Sequence, residues 1–238
     1  MKMISSSING ILHKLGAQVT RYPGGCVQRR IKLINYFGIN KILDVGANSG
    51  QFALEMRSIG FKGKIISFEP LSIVFRELVK NSRHDESWTA VNCALGDADA
   101  EAVINVAGNI NSSSLLSMHQ NHEKSSPGSK FIGKENILIK KLDSIFHDYY
   151  EENDSVYLKL DTQGFEKRAL DGAERSLKYI KGIQIEMSLV PLYEGSLLFP
   201  EMKQFLESQG YELYSLESGF TDPESGRLLQ VDGIFFRN

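Results

Sequence analysis

One segment constrains this chain more than any other. A short apolar run, Lys41-Ile-Leu-Asp-Val45, is followed at once by the turn Gly46-Ala-Asn-Ser-Gly50, and then by Phe52, Met56 and Ile59 at helical spacing. The run reads as a buried strand, and glycine is the residue that lets a chain turn tightly and brings backbone close to a neighbour or a ligand. Gly60 stands where a helix C-terminus wants a left-handed residue. The chain therefore holds a β-turn-α unit.

The pattern recurs along the sequence. KIISFE (64–69) reads as a second strand, with Ser72 as the N-cap of a helix over 73–81, and TAVNCAL (89–95) as a third strand. AVINVA (102–107) alternates and is expected to pair antiparallel, and ILIKKL (137–142) is another strand candidate. VYLKLD (156–161) reads as the fourth core strand, followed by a helix carrying Leu170, Ala173, Leu177 and Ile180, and then GIQIEM (182–187) as the fifth. A helix near Pro200 to Gly210 precedes two closing strands, 211–216 and 228–236, expected to form an antiparallel pair. Alternating strands and amphipathic helices imply a doubly wound α/β sheet, mainly parallel, with an antiparallel C-terminal strand. In such a sheet the ligand lies beyond the carboxyl ends of the strands, where the strand order switches. Asp44, Glu69, Asn92, Asp161 and Glu186 end the strands and should meet there.

Residues 1–38 read as an N-terminal helical extension and 39–238 as the main domain, with a polar, turn-rich, lid-like insertion near 108–136. With few apolar anchors, that insertion is expected to be mobile. A length of 238 residues, 42% hydrophobic and 24% charged, suits one soluble domain, and a net charge of -2 supplies no positive field for phosphate backbones. No nucleic-acid partner is therefore expected. Cys26 and Cys93 form neither a metal motif nor a disulfide framework. The N-terminus has no continuous apolar stretch of the signal-peptide kind, and no run is long enough to span a membrane, so the expected location is cytoplasmic. A homo-oligomer stays open.

The glycine turn lacks the GxGxxG spacing of a dinucleotide loop, which counts against the rival reading, a nicotinamide-dependent Rossmann oxidoreductase. Glu69, nineteen positions beyond Gly50, is an acid placed to accept hydrogen bonds from a ribose. The segments LDVGANSGQFA, FEP, VNCALGD, SSSLL, KLDTQGFEKRALDGA, IEMSLVPLYEG and GRLLQVDGIFFR together resemble the FkbM family of S-adenosylmethionine (AdoMet)-dependent methyltransferases, from about Lys41 to the C-terminus. The resemblance implies a class I methyltransferase fold with AdoMet as cofactor, and O-methylation of a sugar, glycolipid, polysaccharide or polyketide-type acceptor. Gly46, Asn48 and Gly50 would then wrap the methionine part, Glu69 would hold the ribose, and Ala94 and Leu95 would flank the adenine, with Asp44, Pro70 and Asn92 also among the cofactor-binding residues. Gln163 departs from the family, which commonly carries Glu in that stretch.

Methyl transfer to a hydroxyl requires an aligned acceptor and a group to take its proton. Asp161 is the first candidate, either as that base or on the cofactor's ammonium group. Glu186 is a second base or, with Asp161, a ligand for an oxygen-preferring divalent cation. His119 and His122, in the insertion, are alternative bases. Gln163, Tyr193 and Glu194 are expected at the acceptor site, Glu166 at its helix start, and Trp88 in packing. A non-catalytic AdoMet-binding module would retain the same acids, so turnover is what separates it from an enzyme.

Overall fold

The computed structural model describes Leu12 and residues 23–237. Two compact units are present, Met1–Tyr36 and Phe37–Asn238. Within the first, α1 (Gly25–Tyr36) is the described helix, and most of the sequence-based N-terminal extension lies outside the described residues.

The second unit holds ten strands: β1 (Lys41–Val45), β2 (Lys64–Phe68), β3 (Trp88–Val91), β4 (Ala94–Leu95), β5 (Ala100–Ala107), β6 (Phe131–Lys140), β7 (Val156–Leu160), β8 (Ile180–Ser188), β9 (Glu212–Ser218) and β10 (Gln230–Phe236). Six helices accompany them: α2 (Gln51–Ser58), α3 (Ser72–Ser82), α4 (Gln120–Ser125), α5 (Leu142–Tyr149), α6 (Glu166–Asp171) and α7 (Phe199–Ser208). Seven strands form the main sheet in the order β3-β2-β1-β7-β8-β10-β9. The first five in that order run parallel, while β10 is antiparallel to both β8 and β9. This is the doubly wound, class I methyltransferase arrangement expected from the sequence. Every residue of β1 and β7 is buried, the mark of strands covered on both faces by crossover elements. The strand order switches between β1 and β7, so their carboxyl ends open the crevice where a ligand belongs.

Local sequence accounts for the joints. Gly60 takes φ +96°, and Gly60 N–H and Phe61 N–H donate to Arg57 O and Met56 O, closing α2 as a left-handed cap does. The N-terminus of α3 is closed differently from the sequence expectation. Ser72 is its first residue rather than its cap, and the free N–H groups of Leu71 and Ser72 donate to the carboxylates of Glu69 and Glu135. Leu198 N–H donates to Glu201, and Pro200 fits the first turn of α7, where its missing N–H costs nothing.

Three other elements differ from expectation. The run 89–95 is not one strand. It breaks after Val91, and Ala94–Leu95 joins β5 and β6 in a separate three-stranded sheet, β4-β6-β5. The helix after Asp161 ends at Asp171, and Ile180 begins β8, because the apolar periodicity read there spans a helix, a 3-10 turn and a strand that all face one core. The insertion is anchored rather than loose: β6 begins at Phe131, Ser112, Ser114, His122 and Ser129 are buried, and Ile110, Leu115, Leu116 and Met118 pack against buried clusters. Asn105 and Ser114 exchange backbone hydrogen bonds, and His119 N–H donates to Leu192 O. Hydrogen exchange should accordingly find the amides of Ser114 and His119 protected by at least about tenfold relative to their intrinsic rates, since both are bonded and sit in packed surroundings. Exchange at the intrinsic rate at both amides would mean the insertion opens freely.

Candidate active site

A polar row crosses the middle of the sheet. Ser67, Asp44, Lys159 and Gln184 lie opposite one another on β2, β1, β7 and β8. Asp44 is fully buried, and accepts from the Ser67 hydroxyl at 3.2 Å. The Lys159 Nζ lies 3.5 Å from Asp44 Oδ1 and 3.4 Å from both Asp161 Oδ2 and the Gly46 carbonyl. Burial works against the Lys159 charge, yet Asp161, Asp44 and Asp232 outweigh it and hold the ammonium above the usual lysine range. Burial raises the Asp44 carboxyl above the carboxylate range, with Lys159 and Ser67 opposing. Trp88 Nε1–H donates to Ser67 Oγ and its ring backs Gly50, where a Cβ would come within 2.5 Å of it. Trp88, which the structure makes the first residue of β3, is thus a packing residue, the role expected of it.

The glycine turn is shaped by close approach. Gly46 takes φ +72°, and a Cβ there would lie 1.8 Å from the Asp161 carbonyl oxygen, so this turn and the end of β7 are pressed together. Asn48 also adopts a left-handed conformation, φ +51°, and donates its backbone N–H to Glu69 Oε2 at 2.9 Å. The other Glu69 oxygen accepts from Leu71 N–H at 2.9 Å. Burial pushes the Glu69 carboxyl up to about 7 against those two backbone donors. Asn92 donates to the carbonyls of Glu69 and Pro70, fixing the end of β2. Ala94 and Leu95 are both buried.

At the ends of β7 and β8 a second group assembles. Gln163 Nε2 donates to Asp161 Oδ1 at 2.8 Å and to Glu186 Oε2 at 3.0 Å, and Gln230 Nε2 donates to the same Glu186 oxygen at 2.7 Å. Burial, then repulsion from Asp161, Glu166 and Asp232, drives the Glu186 carboxyl well above its ordinary range, with Lys159 pulling the other way. Tyr193, expected to be a wall of the acceptor site, is almost fully buried and donates its hydroxyl to Gln163 Oε1 at 2.8 Å. Glu194 is exposed, and its backbone N–H pairs with Ser117 O. Glu166 accepts from Thr162 and Gly164 N–H groups at its own helix start, the role expected of it, and burial lifts it to about 7.

The two insertion histidines hold packing and capping positions. His119 caps α4, its Nδ1 accepting from Asn121 N–H at 3.2 Å. His122 is buried against the rings of Tyr193 and Phe220, and burial lowers its pKa. Among the described residues no three His, Cys, Asp or Glu side chains gather as a cation site, and the Asp161–Glu186 pair considered as a ligand set is instead joined through the Gln163 amide.

Sequence reasoning missed Lys159, Gln230, Asp232, Asn111 and Ser114. Lys159 carried a signal, a charged residue inside a buried apolar strand, which calls for partners. Asn111 Oδ1 accepts from Asn48 Nδ2 at 2.8 Å, and Ser114 Oγ donates to Gln163 O at 2.7 Å, so the insertion touches both the glycine turn and the residue that joins the carboxylate pair.

A family model for the methyltransferase FkbM domain matches residues 44–213, which span all of these groups except Gln230 and Asp232. The chain belongs to the FkbM methyltransferase family. The methyltransferase sdnD of Sordaria araneosa is 23% identical over 195 residues, covering 72% of this chain and 73% of that protein. Among solved structures, Aeropyrum pernix fibrillarin with natively bound S-adenosyl-L-methionine is similar at a TM-score of 0.45 and 14% identity, over 82% of this chain and 66% of its own. Precorrin-6y C5,15-methyltransferase from Geobacter metallireducens is similar at a TM-score of 0.45 and 13% identity, over 88% and 87%. As a member of that family the FkbM chain has a methyltransferase fold, and no helix among the described residues is long and apolar enough to cross a membrane.

Proposed function

We propose that this FkbM protein is an AdoMet-dependent O-methyltransferase acting on a hydroxyl of a sugar, glycolipid, polysaccharide or polyketide-type acceptor. The observation that carries the reading is the pair of carboxylates, Asp161 just past the end of β7 and Glu186 two residues before the end of the adjacent β8, sharing one amide donor beside the glycine turn. A hydroxyl loses its proton only with difficulty at neutral pH, and a carboxyl held above its ordinary range is the stronger base for taking it. AdoMet supplies an electrophilic methyl group on a sulfonium when bound.

The residues present fit that cofactor. The turn at Gly46 admits no side chain because the end of β7 presses on it, which holds Asp161 beside the glycine turn. Gly46, Asn48 and Gly50 would hold the methionine part, with Asp44 behind them, and Asp161 would face the ammonium group. Each Glu69 oxygen accepts one backbone N–H and keeps a lone pair for a ribose hydroxyl. Pro70, Asn92, Ala94 and Leu95 would border the adenine.

Glu69→Ala is expected to weaken AdoMet binding by about 1.5 to 3 kcal/mol, the scale of hydrogen bonds to a charged group. Because a hydroxyl donates best to the ionised carboxylate, and Glu69 titrates at about 7, wild-type affinity should rise from pH 6 to pH 8 and the variant's should not. Calorimetry at the two pH values reads both effects. Equal affinity in variant and wild type removes Glu69 from the ribose site. The acceptor class is tested by incubating the protein with methyl-labelled AdoMet and panels of neutral glycans, polyketides and amines. Label recovered as an acid- and base-stable ether supports O-transfer, whereas label only on nitrogen overturns it.

A further inference from the structure

We propose that Gln163 and Tyr193 form a positioning pair: Tyr193 fixes the Gln163 amide so that its NH2 group stands between Asp161 and Glu186 and presents both carboxylates in one orientation. The proposal rests on the reading that those carboxylates serve the reaction. Its geometry is over-determined. An ionised carboxylate accepts hydrogen bonds and does not donate them, and Glu186 Oε2 already accepts from Gln230 Nε2, so the nitrogen end of the amide faces Asp161 Oδ1 and Glu186 Oε2, at 2.8 and 3.0 Å. The oxygen end must then face Tyr193, whose hydroxyl donates to it at 2.8 Å while lying 3.2 Å from the Ser112 carbonyl. Both amide protons and the amide oxygen are thereby used.

The backbone supplies a second, independent observation. Gln163 sits at φ +55°, a left-handed conformation that residues with a Cβ adopt rarely and that persists only where the surroundings enforce it. Three restraints do so here. Gln163 O accepts from Ser114 Oγ at 2.7 Å. Gly164 follows at φ +97°, and a Cβ there would lie 2.7 Å from Tyr193 Cβ, so the tyrosine packs directly on the turn. The amide itself is held from both ends. A backbone strained in this way to aim a side chain that carries no titratable proton is what a positioning role requires. Gln163 orients the groups that exchange protons without joining the exchange. Tyr193, buried behind it, cannot touch an acceptor from that position and acts through Gln163.

The test uses the free, full-length protein labelled with 15N in its glutamine side chains, the Gln163 amide being assigned by its loss in Gln163→Glu. Both amide protons of Gln163 should resonate downfield of exposed glutamines. Tyr193→Phe should preserve the fold, read by its near-unchanged circular dichroism, while Gln163 amide exchange with water rises about tenfold, the consequence of losing one net hydrogen bond of about 1.4 kcal/mol. In a second arm, Gln163→Met keeps side-chain length without donors, and the 13C-labelled Glu186 carboxyl resonance should shift while those of remote glutamates stay in place. A Gln163 amide that exchanges like an exposed glutamine overturns the proposal, as does one indifferent to Tyr193→Phe or a Glu186 resonance indifferent to Gln163→Met. These signals need no turnover, so their failure leaves the proposed function standing. Wild-type rates in Asp161→Asn and Glu186→Gln would remove that function without altering them.

Discussion

Asp161→Asn and Glu186→Gln are each expected to slow methyl transfer by about 10² to 10⁴, the range that general-base catalysis spans; Glu186→Gln should leave AdoMet affinity nearly unchanged, while Asp161→Asn, at the position proposed to face the cofactor's ammonium group, should also weaken AdoMet binding. Each substitution keeps shape and hydrogen-bonding capacity but removes the charge that would receive the acceptor's proton. The amide oxygen that Glu186→Gln leaves in place could still accept from Gln163 and Gln230, so the local fold should persist. Single-turnover transfer, with calorimetry on the same preparations, separates the chemical step from binding. A pH dependence accompanies the rate effect. The base works only when deprotonated, and burial with three neighbouring acids raises Glu186 well above its ordinary range. The wild-type rate should therefore climb with pH toward neutrality, on a limb displaced upward from that of an ordinary glutamate, and Glu186→Gln should abolish the limb. If both variants transfer at the wild-type rate, neither carboxylate is the base and His119 becomes the next group to replace.

Lys159→Met should destabilise the fold by about 3 to 5 kcal/mol, because removing one partner of a buried ion pair leaves uncompensated charge inside. The methionine fills the same channel between Asp44 and the Phe52 ring, so lost volume contributes little. Asp44 and Asp161 both lose their cation. The sign of the pH effect follows from Asp44. Its carboxyl in the folded state already titrates above the unfolded value, and without Lys159 it titrates higher still. A group raised in this way leaves stability intact below its unfolded pKa and erodes it as pH rises through the folded one. Urea unfolding should hence show a larger penalty at pH 8 than at pH 5. A penalty below about 1 kcal/mol at both pH values would mean that the row is held by hydrogen bonding rather than by charge.

The main sheet was legible because its strands are short apolar runs closed by acids and glycines, and because Gly46, Gly60 and Gly210 punctuate them at positions where the backbone does turn left-handed. The candidate acids were legible for the same reason. Asp44, Glu69, Asp161 and Glu186 end or nearly end their strands, and parallel pairing brings strand ends together. What eluded the sequence depends on distant partners. The insertion looked polar, yet its serines are buried by bonding one another and Gln163, as Ser112 does with Ser129 at 2.8 Å. Ile180 kept helical spacing with Leu177 because a 3-10 turn and the following strand pack on one core. Tyr193 read as an acceptor-site wall because it follows the fifth strand on the side of the carboxylates, and its place behind Gln163 depends on partners far off in sequence. Here its hydroxyl finds Gln163 and Ser112, and the ring can be buried.

The position of β10 bears on the order in which the enzyme can be assembled. It follows β9 in sequence but lies between β8 and β9, antiparallel to both. Neither neighbour can reach its final register until β10 threads in, a long-range closure of the kind that slows folding. That strand also brings Gln230 and Asp232, the latter paired opposite Glu186. A folding intermediate with β1, β2 and β7 already joined would hold the glycine turn and Glu69, the groups proposed to bind the cofactor, while Glu186 lacked its neighbours. Competence to bind would precede competence to react, and a chain caught midway would sequester cofactor without spending it.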